Sequence, residues 1–336
     1  MRNTRRSIRS LSVVISASLA IIVLLPNLQA CALPAKLDHR TSVASQVKSA
    51  AQAASQFQGI SIGMNKQQLI DTLGKPARVD ASEYGFDWYI YNKDYKHYLQ
   101  VGVRKDKVVA LYTNAADWQA ASGIGFGSSK KEVEAAYGAS LTEIKKGRTI
   151  YHYNTAKDHY SMHLVDGAYA TIFYDVHQQQ KATSIQLIEK NTELSFMGYY
   201  GEPSEELQGS FEKQVWDLTN AVRVRSGKKP LQWNDKIAGT ARKHSVDMSK
   251  RNFFAHANPD GKSPFDRMKA DQIKYMKAGE NIAAGQPSAI YAHEGWMNSK
   301  GHRENILGDY TQLGVGVTFG GKMETYFTQN FFTPRG

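Results

Sequence analysis

The sequence predicts an α+β chain in two unlike parts, and three observations predict it. A helix start followed by alternating apolar segments appears near residue 59 and returns 64 residues later. Leu207, Phe211, Val215, Leu218 and Val222 then fall on one helical face, and further capped helices follow. The chain closes on strand patterns, Val315, Val317 and Phe319, then Tyr326 to Phe331. A helix-plus-meander module used twice, then helices closed by strands, is an α+β arrangement.

Of 336 residues, 41% are hydrophobic and 22% charged, the balance of folded protein rather than a disordered chain. Residues 1–31 read as a signal. Arg2, Arg5, Arg6 and Arg9 form a basic start, and Leu11 to Leu25 is an apolar run short for a permanent membrane span. Two exits follow. Leu28-Gln29-Ala30-Cys31 resembles a lipobox with Cys31 as the lipidated residue, while Ala30-Cys31-Ala32 offers a signal-peptidase site. The expected location is the extracytoplasmic side of a bacterial envelope, secreted or anchored, with membrane contact only through the signal or lipid. Cys31 is the single cysteine, so an internal disulfide and a thiolate zinc site are both excluded. The formal charge of +11 suits anionic wall polymers or lipid head groups. Export and the scatter of the basic residues exclude nucleic acid as a partner.

Residues 32–57 are rich in Ala, Ser and Gln and read as a tether. Residues 58–197 form the repeat domain, with units at about 59–122 and 123–190. Gly59 to Lys66 returns as Gly123 to Lys130, and Leu69, Leu73 and Gly74 return as Val133, Tyr137 and Gly138. Asn65 and Ser129 are placed to cap the two helices, and Gly74 and Gly138 to end them in a left-handed conformation. Phe86, Trp88 and Ile90 alternate as a strand does, as do Leu99, Val101 and Val103. Asp166-Gly167 predicts a hairpin between Tyr160–Val165 and Ala168–Tyr174. The aromatics Trp88, Tyr91, Tyr153 and Tyr174 read as core, with a carbohydrate-binding surface as the alternative. Gly198, Gly201 and Pro203 break any regular pattern between 190 and 204.

The second part is expected over residues 205–334. Gly227 ends its first helix, Asp235 is expected to cap the next, and Ser263-Pro264-Phe265-Asp266 is a capping box with proline at the first helical position. Pro287 is expected to start a further helix. Asn220, Arg223, Gly227, Leu231 and Trp233 fit the form N-x-x-R-x-x-x-G-x-x-x-L-x-W. Phe253-Phe254-Ala255-His256, Gly279-Glu280-Asn281-Ile282, Trp296-Met297-Asn298-Ser299, Gly301-His302-Arg303-Glu304-Asn305 and Thr328-Gln329-Asn330-Phe331 follow in order. This ordered set resembles the CAP superfamily, the SCP-like domain, in its bacterial form. The repeat domain resembles the CAP-associated N-terminal domain. The resemblance implies an α/β/α sandwich and a cleft lined by two histidines and two glutamates.

Carried over position by position, the first histidine is His256, the first glutamate Glu280 and the second histidine His302. The second glutamate has no direct match. The family places it after the helix tryptophan, where this chain has Asn298 and Ser299. Glu294, two residues before Trp296, is the candidate, and Ser299 the substitute if it faces away. Asn281, Trp296, Ser299, Gln329 and Asn330 are expected to wall the cleft. Two imidazoles suit zinc or another divalent metal, with a carboxylate as third donor or ring orienter. No H-E-x-x-H pair supports this, because position 297 is Met. Without metal, a histidine beside a glutamate can act as acid or base. His244 reads as a core histidine. Three functions stay open: a module binding a small ligand, lipid or cell-wall material, a metal-assisted hydrolase, and a scaffold with a vestigial cleft.

Overall fold

The computed structural model describes residues 56–120, 122–155 and 159–335. The signal, Cys31 and residues 32–55 of the tether lie outside the described residues. The last tether residues, Gln56–Phe57 (β1), instead pair with Ile60–Ser61 (β2), and Phe57 is buried.

Both repeat helices begin as their sequences dictate. Lys66–Leu73 (α1) and Lys130–Tyr137 (α2) each start with a complete capping box, Asn65 with Gln68 and Ser129 with Glu132. Gly74 and Gly138 end them at φ 77° and 82°, but with ψ −171° and −174°. That is an extended positive-φ geometry open mainly to glycine, not the left-handed helical one expected.

The strands Arg78–Ala81 (β3), Asp87–Tyr91 (β4), Leu99–Arg104 (β5), Lys107–Thr113 (β6), Tyr160–Val165 (β9), Ala168–Asp175 (β10) and Lys181–Glu189 (β11) form one sheet, ordered β3-β4-β5-β6-β11-β10-β9. Strands β6 and β11 pair antiparallel at its centre. Gly63 donates to Val108 O at 2.8 Å and Gly127 to Ala182 O at 2.8 Å, so the meander β4-β5-β6 corresponds to β9-β10-β11. The helices keep the 64-residue offset and the strands lose it. The second unit first spends Glu143–Lys146 (β7) and Thr149–His152 (β8) on a separate hairpin. The 190–204 stretch is not wholly irregular, since Lys190–Ser195 (α3) is helical.

In the second domain Glu205–Arg225 (α4) leads to Gln232–Trp233 (β12), Asp235–Arg251 (α5), Pro264–Ala270 (α6), Tyr275–Ala284 (β13), Ala289–Met297 (α7), Lys300–Ile306 (α8), Gln312–Phe319 (β14) and Thr325–Pro334 (β15). Asn234 rather than Asp235 caps α5, its side chain accepting from the Ile237 amide at 3.1 Å. Ser288 rather than Pro287 occupies the N-cap of α7. The sheet order is β12-β14-β15-β13, which leaves β13 at an edge. Its Gly279-Glu280-Asn281-Ile282 segment is therefore strand. Gly316 lets α5 press against β14, because a Cβ there would lie 2.0 Å from the Arg242 amide nitrogen.

The two domains share a core. One face of the seven-stranded sheet packs α1 and α2 through Leu69 and Val133. The other face, with Phe86, Trp88, Ile90, Tyr112 and Phe173, joins Phe211 and Val215 of α4 and Trp296 of α7 in one apolar cluster. Helices α4 and α7 thus lie between two sheets, and α5 and α6 cover the far face of the second. Burial of Trp88 and Tyr174 removes the carbohydrate-surface alternative for those aromatics. Buried ion pairs pin the junction. Asp217, on α4, is fully buried and accepts from Arg78 at 2.7 Å, Asn92 at 2.7 Å and Tyr95 at 2.8 Å. Among the described residues no helix is long and apolar enough to cross a membrane.

Candidate functional site

The cleft is built around the β13 edge. Helix α5 ends at Asn252 with φ 52°, and the turn that follows brings His256 back over the strand. Glu280 points from β13 toward α5 and α6 with its side chain only 2% exposed. His256 Nδ1 lies 3.0 Å from Glu280 Oε1, and the ring is 50% exposed. Its Nδ1 is engaged, so Nε2 is the nitrogen left for a ligand.

Arg267, absent from the sequence-based site, holds this pair in place. Its Nη2 donates to both Glu280 oxygens, at 3.0 and 2.7 Å. Its Nη1 donates to His256 O at 2.8 Å and Lys262 O at 3.0 Å. One guanidinium therefore neutralises the buried carboxylate and fixes the loop that carries the histidine. The available signal was chemical: a buried carboxylate needs a cation, and the Ser263 capping box starts a helix that presents Arg267 one turn in.

His244 is the core histidine expected. It is fully buried, donates from Nε2 to Ala255 O at 3.1 Å, and stands 4.0 Å from Glu280 Oε1. Burial lowers its pKa, which keeps the ring neutral. His302 enters from α8. Burial also lowers its pKa, and the nearby His256 charge lowers it further. These surroundings favour a neutral His302 beside His256.

The expected wall residues act mostly behind the cleft. Asn281 and Gln329 are fully buried. Thr219 of α4 accepts from Gln329 at 2.7 Å, Gln329 accepts from Asn281 at 3.0 Å, and Asn281 donates to His302 O at 3.1 Å. This chain ties α8 to the first helix of the domain. Gly279 permits it, since a Cβ there would meet Asn305 Oδ1 at 2.8 Å. Trp296 donates to Ile282 O at 2.9 Å and is core. Asn330, opposite Glu280 on β15, is fully buried, and both its amide atoms lack a partner among the described residues.

Glu294 does not join the cleft. It faces the repeat domain, where its Oε1 accepts from Tyr112 at 2.8 Å and from Ser184 at 2.5 Å. Ser299 lines the same junction, beside Glu294 and Asn298. The structure therefore pairs His256 with Glu280, adds Arg267 and His244, places His302 near enough to feel the His256 charge, and leaves Glu294 and Ser299 elsewhere.

These donors do not fit zinc. A zinc site takes three or four protein ligands, and among the described residues no group of three His, Cys, Asp or Glu side chains could hold a metal. The remaining donor, Glu280, is already claimed by Arg267 and His256.

Comparison with known proteins follows the same division. Residues 62–199 match the CAP-associated N-terminal family, and residues 216–331 match the cysteine-rich secretory protein family, CAP. The chain is 32% identical over 289 residues to "Uncharacterized membrane protein YlbC" of Bacillus subtilis (strain 168), covering 80% of this chain and 82% of that one. It is 46% identical over 123 residues to "Uncharacterized protein YkwD" of the same organism, 36% of this chain and 47% of the relative. Among solved structures, an extracellular protein containing a SCP domain from Bacillus anthracis aligns with TM-score 0.70 and 26% identity, over 91% of this chain and all 100% of the other. A cysteine-rich secretory protein from Staphylococcus aureus shares the fold at TM-score 0.67 and 18% identity, covering 83% and 94% of the two chains.

Proposed function

The chain belongs to the cysteine-rich secretory protein (CAP) family, with a CAP-associated N-terminal domain ahead of the CAP domain, and from that premise we propose an exported envelope protein whose cleft binds a small acidic ligand without a metal. The observation that carries this reading is the state of Glu280. Its charge is spent on Arg267 and on positioning His256, so it is neither a free metal ligand nor a free base. What remains accessible is His256 Nε2, on a half-exposed ring that Glu280 holds through Nδ1, with His302 nearby. An imidazole N–H on a ring fixed through its other nitrogen can donate to a carboxylate or phosphate. Part of the formal charge of +11 belongs to the signal arginines Arg2, Arg5, Arg6 and Arg9, and the remaining positive balance adds attraction toward acidic wall material.

An extracytoplasmic location is supported by the basic and apolar start of the sequence. It is also supported by the relatives' names, one a membrane protein and one an extracellular protein. Export through lipidation of Cys31 or through cleavage leaves the cleft reading unchanged.

The test is calorimetry on the exported chain with a sugar-free wall stem peptide bearing free carboxylates. Saturable binding that His256→Ala abolishes is the expected result. Absence of binding, or equal affinity in His256→Ala, removes the reading. Hydrolysis of the peptide lost in the same variant would move the protein to the enzymes.

A further inference from the structure

The junction between the domains contains a second site. A cavity of about 390 Å³ opens between the repeat domain and the loop that leads into α7, within the range of small-ligand pockets. None of His256, Glu280, His302 or Arg267 lines it. Its wall is aromatic. Tyr160 and Phe173 come from β9 and β10, and Tyr291 from α7. The Tyr160 and Phe173 centroids are 5.8 Å apart, and Tyr291 stands edge-on to them at 5.7 and 5.3 Å.

Two of its polar groups have no partner among the described residues. His159 holds a left-handed backbone, φ 58°, an uncommon and strained conformation for a residue with a side chain. Its ring lines the cavity, and the buried Nδ1 has no protein partner. Gln286 Oε1, in the facing loop, is likewise buried and without a protein partner. A buried polar atom left unbonded is unfavourable, so each is a ready partner for a ligand hydroxyl. Glu294 adds a carboxylate whose Oε1 takes both protein donors. No lysine or arginine is among the described lining residues, so the lining does not suit an anion.

We propose that this cavity, walled by Tyr160, Phe173 and Tyr291 and set with His159, Gln286 and Glu294, binds a neutral saccharide. Tyr160 and Phe173 are buried and back the wall, while the half-buried Tyr291 and the exposed Tyr199, which also lines the cavity, can meet the C–H face of a sugar ring. A carboxylate and an amide oxygen accept from its hydroxyls, and the His159 nitrogen completes the set. The two domains present the site jointly, which gives the repeat domain a role in recognition as well as in covering α4 and α7. A stem-peptide cleft and a sugar cavity on one chain would read two parts of the same envelope polymer.

The test uses the exported chain with N,N′-diacetylchitobiose and cellobiose as probes, followed by saturation-transfer NMR and calorimetry. His159→Gly removes the ring and suits a positive φ, so its melting temperature should hold or rise while saccharide affinity falls at least tenfold. Gln286→Leu should cause a similar loss with the fold intact. His256→Ala, in the separate cleft, should leave saccharide binding unchanged. Failure of both disaccharides to bind saturably overturns the inference. So does equal affinity in wild type, His159→Gly and Gln286→Leu, or abolition by His256→Ala.

Discussion

Replacing Arg267 by methionine tests how the cleft is held. The change keeps the bulk of the side chain and removes the guanidinium. In the native protein that group makes two contacts to a carboxylate 2% exposed and two more to backbone carbonyls. Taking away one partner of a buried ion pair costs about 3–5 kcal/mol, because the other charge stays buried and unpaired. His256 retains one bond to Glu280, and the Arg267 side chain is itself 12% exposed, so the low end, about 3 kcal/mol, is expected. Removing the charge as well, in Arg267→Met with Glu280→Gln, should recover more than half of that loss. The assay is urea unfolding of the single and double variants, with His256 followed by NMR. A cost below about 1 kcal/mol for Arg267→Met, or no recovery in the double variant, refutes the idea that the arginine is what makes the buried carboxylate tolerable.

Other outcomes follow from the same geometry. Asp217→Ala strips the acceptor shared by Arg78, Asn92 and Tyr95 and should cost about 3–5 kcal/mol, with limited proteolysis between the domains accelerated. Glu294→Ala should destabilise by about 1–3 kcal/mol through the orphaned Tyr112 and Ser184 hydroxyls, yet leave stem-peptide affinity unchanged; an affinity loss would return Glu294 to the cleft. His293 is fully buried and its pKa is pushed down to about 3 by desolvation and by Arg225, so the folded state binds fewer protons than the unfolded chain. Stability is therefore full above about pH 6.5 and falls from there toward pH 3, by roughly 1.4 kcal/mol per unit for this group; His293→Leu should flatten that slope in an unfolding series against pH. Gly316→Ala puts a Cβ against the backbone of α5 and should cost about 3 kcal/mol or more by denaturant unfolding.

Much of the fold was readable because its signals are local. Asn65, Ser129 and Ser263 each sit three residues before the side chain that completes a capping box, and the helices begin there. Motif order pointed to His256 and Glu280, which the structure pairs, and the apolar face of α5 pointed to His244 as core. What escaped was set by layers. Helix α7 lies between two sheets, with Ala289, Ile290, Ala292, His293, Glu294, Trp296 and Met297 all buried, so it has no polar stripe to show which way Glu294 points. Helical periodicity orients a helix only when one side meets water. The Glu280 strand escaped because β13 carries glycine and polar residues at a sheet edge, where alternation is weak. Arg267 escaped because its partner lies 13 residues away across a turn and a strand boundary.

The most direct measurement is zinc calorimetry on the exported chain without a histidine tag, wild type against a His256→Ala/His302→Ala double variant. A cleft whose Glu280 carboxylate is committed to Arg267 predicts no one-to-one binding in either protein. Saturable one-to-one zinc binding in wild type, lost in the double variant, would contradict it and place a metal between the two histidines.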